Sequence, residues 1–192
     1  MPDLPPLVVV LAAGLGARFG GAKLDADCAG KPLGQWALDT AIAAGLPPGL
    51  LVVGPQPPDF AIGSGWRLRT NDVPEAGLGG SVALAAAIAL AEGRDLLFLL
   101  ADMPLLTPDY LALLAAQTGA AATRHTDGRA GVPALLPLAL LPLATQLEGE
   151  RGAGKMLAGI AGLTLLDPPE GMLHDVDQAV DLAEVSAMLR RG

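Results

Sequence analysis

Leu7-Val-Val-Val-Leu-Ala12 is an uninterrupted apolar run, rich in β-branched residues, that passes straight into a glycine-rich stretch from Gly14 to Gly21. Such a run has no polar face to offer water. A strand made from it is buried on both sides, as in a parallel sheet covered by helices. Leu50-Leu-Val-Val53 and Asp95 to Ala101 repeat the pattern, the latter running on into Asp102-Met-Pro104, and Trp66 to Thr70 reads as a shorter strand. Between and after these runs lie helical stretches at 33–45, 79–91 and 108–117, with Thr107 the expected N-cap of the last and Pro108 its first helical residue. Further on, Ala120 to Arg124 and Val132 to Leu136 read as an antiparallel strand pair. Residues 137–147 and 153–160 read as helical, Leu163 to Leu166 as a strand, and Gln178 to Arg190 as a closing helix. Strands alternating with helices at this spacing imply an α/β fold. The expectation is a three-layer α/β/α, Rossmann-like domain with a mostly parallel twisted sheet and a site along the strand C-termini. Neither a repeat nor a linker interrupts the chain, so residues 1–192 are expected to form one domain.

The composition narrows the possible partners. Aromatic residues make up 3% of a chain that is 52% hydrophobic, so Ala, Leu and Val must build the core. A net charge of −8 argues against a nucleic-acid partner, which needs a basic face. It does not oppose nucleotide binding, because a few cations, backbone amides and a metal ion hold a triphosphate locally. Cys28 is the sole cysteine, which excludes a disulfide framework and suits a reducing cytoplasm. Met1 to Pro6 carries no basic residue, and Glu92, Arg94 and Asp95 break the apolar 87–101 stretch, so neither a signal segment nor a membrane span is expected.

Two familiar phosphate loops fail on detail. A dinucleotide fingerprint needs G-x-G-x-x-G and an acidic residue closing the second strand. Here Phe19 follows Gly14 and Gly16 at the third position, Gly20 comes one place late, and the second strand ends Val52-Val53-Gly54. Gly149 to Lys155 matches the start of a Walker A loop, but Met156 replaces the hydroxyl residue and no buried strand precedes it. What remains is a glycine loop flanked by two cations, Arg18 and Lys23. Arg forks onto two phosphate oxygens, and Lys acts as a point charge.

Five segments in order carry a family resemblance. Leu11-Ala-Ala-Gly-x-Gly-x-Arg18-Phe-Gly-x-x-Lys23 resembles the signature loop of the MobA-like nucleotidyltransferases, and Leu100-Ala-Asp102-Met-Pro104 their second motif. Asn71 with Gly77-Leu-Gly-Gly-Ser81-Val resembles the nucleotide-contacting segment between them. Gly131-Val-Pro133 with Gly149-Glu-Arg-Gly152-Ala153 resembles the acceptor side, and Asp175-Val-Asp177-x-x-x-Asp181-Leu the C-terminal motif. Ala12-Ala13-Gly14 brings the chain closest to the branch that acts on the molybdenum cofactor with CTP. In the acceptor-side motif Glu150 stands for the usual Asp and Gly154 for the usual Arg, with Lys155 adjacent, and Val132 stands where His is frequent.

The resemblance implies a cytoplasmic Mg²⁺-dependent transferase. It would move CMP from CTP to a phosphorylated acceptor, with molybdopterin favoured, and a molybdoenzyme or cofactor chaperone downstream. GTP as donor, or a sugar or polyol phosphate as acceptor, are the near alternatives. A non-catalytic nucleotide-binding regulator or delivery protein is the alternative of another class. The implied nucleotide contacts are Leu11, Ala12, Ala13, Gly14, Gly16, Asn71, Gly79 and Ser81. Ser81 is expected to open its helix, either as its cap or as a base contact. Arg18, Lys23 and Asp102 are the expected catalytic residues. Asp102 and Asp175 are the expected metal ligands, and Asp177 is the competitor, with an N-cap role as its plain alternative. Asp25 and Asp27 are alternative partners for the two loop cations. Arg151 and Lys155 are the expected acceptor contacts. His125, placed in an exposed loop, and His174, placed to orient Asp175, receive no chemical role, because a phosphate acceptor is already ionised near pH 7.

Overall fold

The computed structural model describes residues 4–14, 19, 21–73, 77–149 and 152–191. The three uninterrupted runs become β1 (Leu7–Ala12), β4 (Leu50–Val53) and β6 (Leu96–Leu100). They lie side by side and parallel, and every residue of β1 and β4 is buried. Beyond β4 lies β5 (Arg67–Thr70), a parallel edge strand whose arginines face solvent. Charged residues on an exposed edge discourage pairing with other chains. On the other side, β8 (Ala130–Leu136) runs antiparallel to both β6 and β7 (Ala121–Arg124), and β9 (Thr164–Leu166) pairs parallel with β7. The order is β5-β4-β1-β6-β8-β7-β9, with β8 as the one reversed strand. The expected antiparallel pair is therefore present inside a mostly parallel sheet. A separate two-strand ribbon, β2 (Asp27–Cys28) with β3 (Lys31–Pro32), was not expected; two-residue strands, one ending in proline, leave no periodic signal.

Helices cover both faces. α1 (Gln35–Ala43) and α3 (Pro108–Ala115) bury Ala37, Leu38, Ala41, Tyr110, Leu111 and Leu114 against one face. α2 (Gly77–Glu92), α4 (Leu141–Ala144) and α5 (Gly152–Ala158) cover the other, where Val82, Ala85, Ala86 and Ala89 of α2 meet Leu7, Val9 and Phe98. Small residues on α2 let it lie close to the sheet, which is how a core poor in aromatics reaches native density. α6 (Ala179–Leu189) packs through Val185 on Cys28, Leu33 and Val176.

Thr107 caps α3 as expected, its hydroxyl accepting from the Tyr110 amide at 3.4 Å, with Pro108 in the first turn. The stretch read as one helix over 137–147 is instead a 3-10 turn at Leu138–Leu140 followed by the four-residue α4. Proline at 142 has no amide to donate, so a helix starts there but does not run through it. Among the described residues, no helix is long and apolar enough to cross a membrane.

The chain builds outward from β1 through β4 to β5, then crosses back over α2 to β6 on the far side of β1. The strand order thus reverses beside β1. In open α/β sheets ligands bind at the carboxyl ends of strands flanking such a reversal.

Candidate active site

The glycine loop leaves the end of β1 at this reversal. Leu11, Ala12 and Ala13 are buried there, and Gly14 is exposed, with open space where a Cβ would stand. Gly16 and Arg18 lie outside the described residues. After the loop comes a 3-10 turn, Lys23–Asp25, closed by the Ala26 amide donating to the Lys23 carbonyl at 3.2 Å. Asp25 does not pair with Lys23. Its carboxylate accepts from the amides of Asp59 and Phe60 at 2.9 and 2.8 Å, tying this turn to the 59–61 turn.

Lys23 points to the end of β6. Its Nζ lies 2.7 Å from Oδ2 of Asp102 and 3.5 Å from Oδ1 of Asp177. Asp102 follows β6 directly, where the Ala101 amide extends the ladder by donating to the Leu11 carbonyl at 3.0 Å. Its second carboxylate oxygen, Oδ1, is buried and, among the described residues, lacks a hydrogen-bond partner. A buried polar atom left in this way costs free energy, which a cation or donor arriving from outside recovers.

The C-terminal motif is brought here by one buried residue and one hydrogen bond. Val176 is fully buried in the small cluster under α6, and its amide donates to the Asp102 carbonyl at 3.1 Å. With Val176 turned inward, its neighbours Asp175 and Asp177 are left on the outer side, beside Asp102. Asp181 then fixes the backbone, its Oδ2 accepting from the amides of Asp177 at 2.9 Å and Gln178 at 2.7 Å. Gln178, not Asp177, is the N-cap of α6, in a reciprocal capping box with Asp181. The capping alternative for Asp177 is thus overturned, and its carboxylate is turned towards Lys23 instead.

Electrostatically the cluster is acidic, with Asp102, Asp175 and Asp177 beside the ammonium of Lys23 among the described residues. Loss of hydration raises the pKa of Asp175 first, and the neighbouring Asp102 and Asp177 carboxylates raise it further; its own amide and Lys23 oppose the rise. Among the described residues, no group of three or more His, Cys, Asp or Glu is arranged to hold a metal ion by itself. Magnesium does not require one, since water and phosphate oxygens complete its octahedron around one or two carboxylates. The buried unpartnered oxygen of Asp102, with a second carboxylate within reach of the same ammonium, fits that kind of site.

The other sequence candidates fall in different places. Asn71 and Ser81 meet in a buried pair: the Asn71 amide nitrogen donates to Ser81 Oγ at 3.0 Å, and Asn71 Oδ1 accepts from the Val73 amide at 3.1 Å. Ser81 does not open its helix, because α2 starts four residues earlier, at Gly77. Gly79 is buried, and its amide donates to the Gly149 carbonyl at 3.0 Å. A Cβ on Gly79 would lie 2.7 Å from that oxygen, so this glycine is where the 148–149 loop touches α2. Lys155 is exposed on α5, and Arg151 lies outside the described residues.

His125 is half-buried rather than exposed. Its imidazole fills the space that a Cβ on Gly131 would need, and Nε2 sits 3.0 Å from the Val132 carbonyl. His174 turns to the Gly171 carbonyl at 3.1 Å. Cys28 is buried beside Ser186. Two concavities, of about 440 and 340 Å³, are lined by other residues, the first between Leu140, Met156 and Ile160 and the second between Trp36 and Leu105.

A MobA-like NTP transferase domain is matched over residues 8–165. Over 168 residues the chain is 32% identical to the Bifunctional protein GlmU of Sorangium cellulosum (strain So ce56), covering 82% of this chain and 33% of that protein, so the chain spans about a third of that relative's length. Among solved structures it superposes on Rv0371c from Mycobacterium tuberculosis H37Rv with a TM-score of 0.79 at 22% identity, over 97% of this chain and 100% of that one. A nucleotidyl transferase from Methanothermobacter thermautotroptrophicus gives a TM-score of 0.80 at 20% identity, over 96% and 98%. A complex of Rv0371C with manganese gives 0.74 at 22% identity, over 96% and 99%. These structures share the three-layer fold.

Proposed function

This chain belongs to the MobA-like NTP transferase domain family, and from that premise we propose that it transfers CMP from CTP to a phosphorylated acceptor, molybdopterin by preference, releasing pyrophosphate. Nucleotidyl transfer is the chemistry of the family. The preference for CTP rests on Ala12-Ala13-Gly14 in the loop. The observation that carries the mechanism is the meeting of Lys23, Asp102 and Asp177 at the strand reversal, with one carboxylate oxygen buried and unpartnered.

In this reading an acceptor phosphate oxygen attacks the α-phosphorus in line. The new P–O bond forms as the bond to the β-phosphate breaks, and pyrophosphate leaves. A divalent ion held at Asp102 would offset the charge that builds at the α-phosphorus. The manganese complex of Rv0371C supports a divalent cation in this fold. For the second carboxylate the geometry favours Asp177 over Asp175, because one ammonium already reaches both Asp102 and Asp177. Asp175 then adds negative field from beside them. Lys23 and, from the sequence, Arg18 hold the leaving pyrophosphate. The Asn71–Ser81 pair joins the end of β5 to α2 on the side where the base is expected to rest. Arg151 and Lys155 stand on the acceptor side.

The test is pyrophosphate release with Mg²⁺, comparing CTP with GTP and molybdopterin with a sugar phosphate. Release with CTP and molybdopterin that exceeds the other combinations supports the reading. Nucleotide binding with no pyrophosphate released for any acceptor would make the chain a binding protein instead.

A further inference from the structure

The ion pair of Lys23 with Asp102 occupies the carboxylate that the proposed reading gives to the metal. We propose that Lys23 is an internal counter-ion, which holds the site against a bare divalent ion and yields it only when a triphosphate arrives. This rests on the reading of Asp102 as the metal carboxylate.

The ammonium already stands where a cation would meet Oδ2 of Asp102, leaving Oδ1 without a partner among the described residues. Nζ is 2.7 Å from Asp102 Oδ2 and 3.5 Å from Asp177 Oδ1, and the Lys23 side chain is only 11% exposed. Two cations a few ångströms apart in a partly desolvated cleft repel strongly, so a bare divalent ion must bind beside Lys23 or displace it. Displaced without a new partner, the ammonium loses its charge-assisted bond to Asp102. A triphosphate changes this balance. Its oxygens accept the ammonium and at the same time complete the metal's coordination, so nucleotide and metal each lower the cost of binding the other. Such coupling is reciprocal: whatever factor the triphosphate adds to metal affinity, the metal adds to triphosphate affinity.

The side chain is suited to the exchange. Its backbone is fixed by the 3-10 turn, through the amide of Lys23 on the Gly21 carbonyl at 2.8 Å and the amide of Ala26 on its own carbonyl. Its four-carbon stem remains free to carry a compact charge from one anion to another. The protein so built takes up metal as the metal–nucleotide complex and does not accumulate the free ion.

The experiment counts bound Mn²⁺, by electron paramagnetic resonance of the free ion and by calorimetry, in the absence of nucleotide. Wild type is compared with Lys23→Gln, which keeps a hydrogen-bond donor for Asp102 and removes the charge. Lys23→Met is the second variant, used if the first does not give a cooperative melt. Removing the charge should tighten bare Mn²⁺ binding by about tenfold or more and weaken binding of the Mn²⁺–CTP complex. Structural damage would weaken both, so the opposite signs identify the counter-ion. Unchanged or weaker bare Mn²⁺ binding in a folded variant overturns the proposal. Tighter bare Mn²⁺ binding in a protein that takes no nucleotide would leave Lys23 a counter-ion at a cation site but overturn the triphosphate-driven exchange, and with it the transferase reading.

Discussion

Gly79→Ala places a methyl group where the structure has backbone. The added Cβ would lie 2.7 Å from the Gly149 carbonyl oxygen and 2.8 and 2.9 Å from the carbonyl carbon and oxygen of Glu148. None of these atoms belongs to a side chain that can rotate away, so the loop or the helix start must move. Forcing extra volume into a packed contact costs about 1–3 kcal/mol. Losing the 3.0 Å bond from the Gly79 amide to Gly149 adds about 1 kcal/mol. Alanine in place of glycine in a helix returns up to about 1 kcal/mol. The net is a loss of about 1–3 kcal/mol, and in a domain of this size each of these lowers the melting temperature by about 2–4 °C. Gly154→Ala is the matched control. It is also the third residue of its helix, but among the described residues its Cβ would meet only the Ala130 carbonyl at an ordinary 3.8 Å, so that variant should melt at or slightly above wild type. Thermal and urea denaturation of the pair decide the matter. Gly79→Ala as stable as Gly154→Ala would refute the close approach of the 148–149 loop.

Asp175→Asn should raise the melting temperature in EDTA at pH 7, and the gain should shrink as pH falls towards 4. The folded pKa is raised, so the folded state binds the extra proton; its penalty is present above the folded pKa and vanishes below the unfolded one. A variant no more stable than wild type at pH 7 contradicts this. Tyr110→Phe should cost about 1–2 kcal/mol in urea titration, because it strips the hydroxyl that joins Thr123 Oγ1 at 3.0 Å and the Leu166 carbonyl at 3.2 Å. A neutral effect would mean that water replaces those contacts. Arg151→Ala with Lys155→Ala should raise the KM for molybdopterin and leave that for CTP nearly unchanged; loss of CTP affinity would place both residues on the nucleotide side.

Much of the sheet was legible because burial on both faces writes itself as an unbroken apolar run: β1, β4 and β6 each sit on one. Asp102 was legible for the same reason, as the first acidic residue after such a run. What the sequence hid was tertiary. Asp177 looked like a cap because it precedes a helix, but the cap is Gln178, and only the burial of Val176 decides that Asp177 turns to Lys23. Ser81 looked like a helix opener because three glycines precede it, yet those glycines lie inside α2, one of them in contact with a distant loop. A glycine within an apolar helical pattern was the available sign of that contact. His125 carried no such sign, since its pocket exists only because Gly131 of the neighbouring strand has no side chain. Residues 137–147 do not form the one helix expected, because Pro142 starts a short helix and cannot lie within a longer one.

Calorimetric titration with CTP, in Mg²⁺ and in EDTA, of wild type and Asp102→Asn tests the central claim most directly. Asp102 offers a buried oxygen that has no hydrogen-bond partner among the described residues, at the head of the sheet. If that oxygen awaits a metal-bound triphosphate, wild-type affinity for CTP falls sharply in EDTA, and Asp102→Asn in Mg²⁺ shows the same loss. Equal affinity for CTP in Mg²⁺ and EDTA, or an Asp102→Asn variant that binds Mg²⁺–CTP as wild type does, would contradict it.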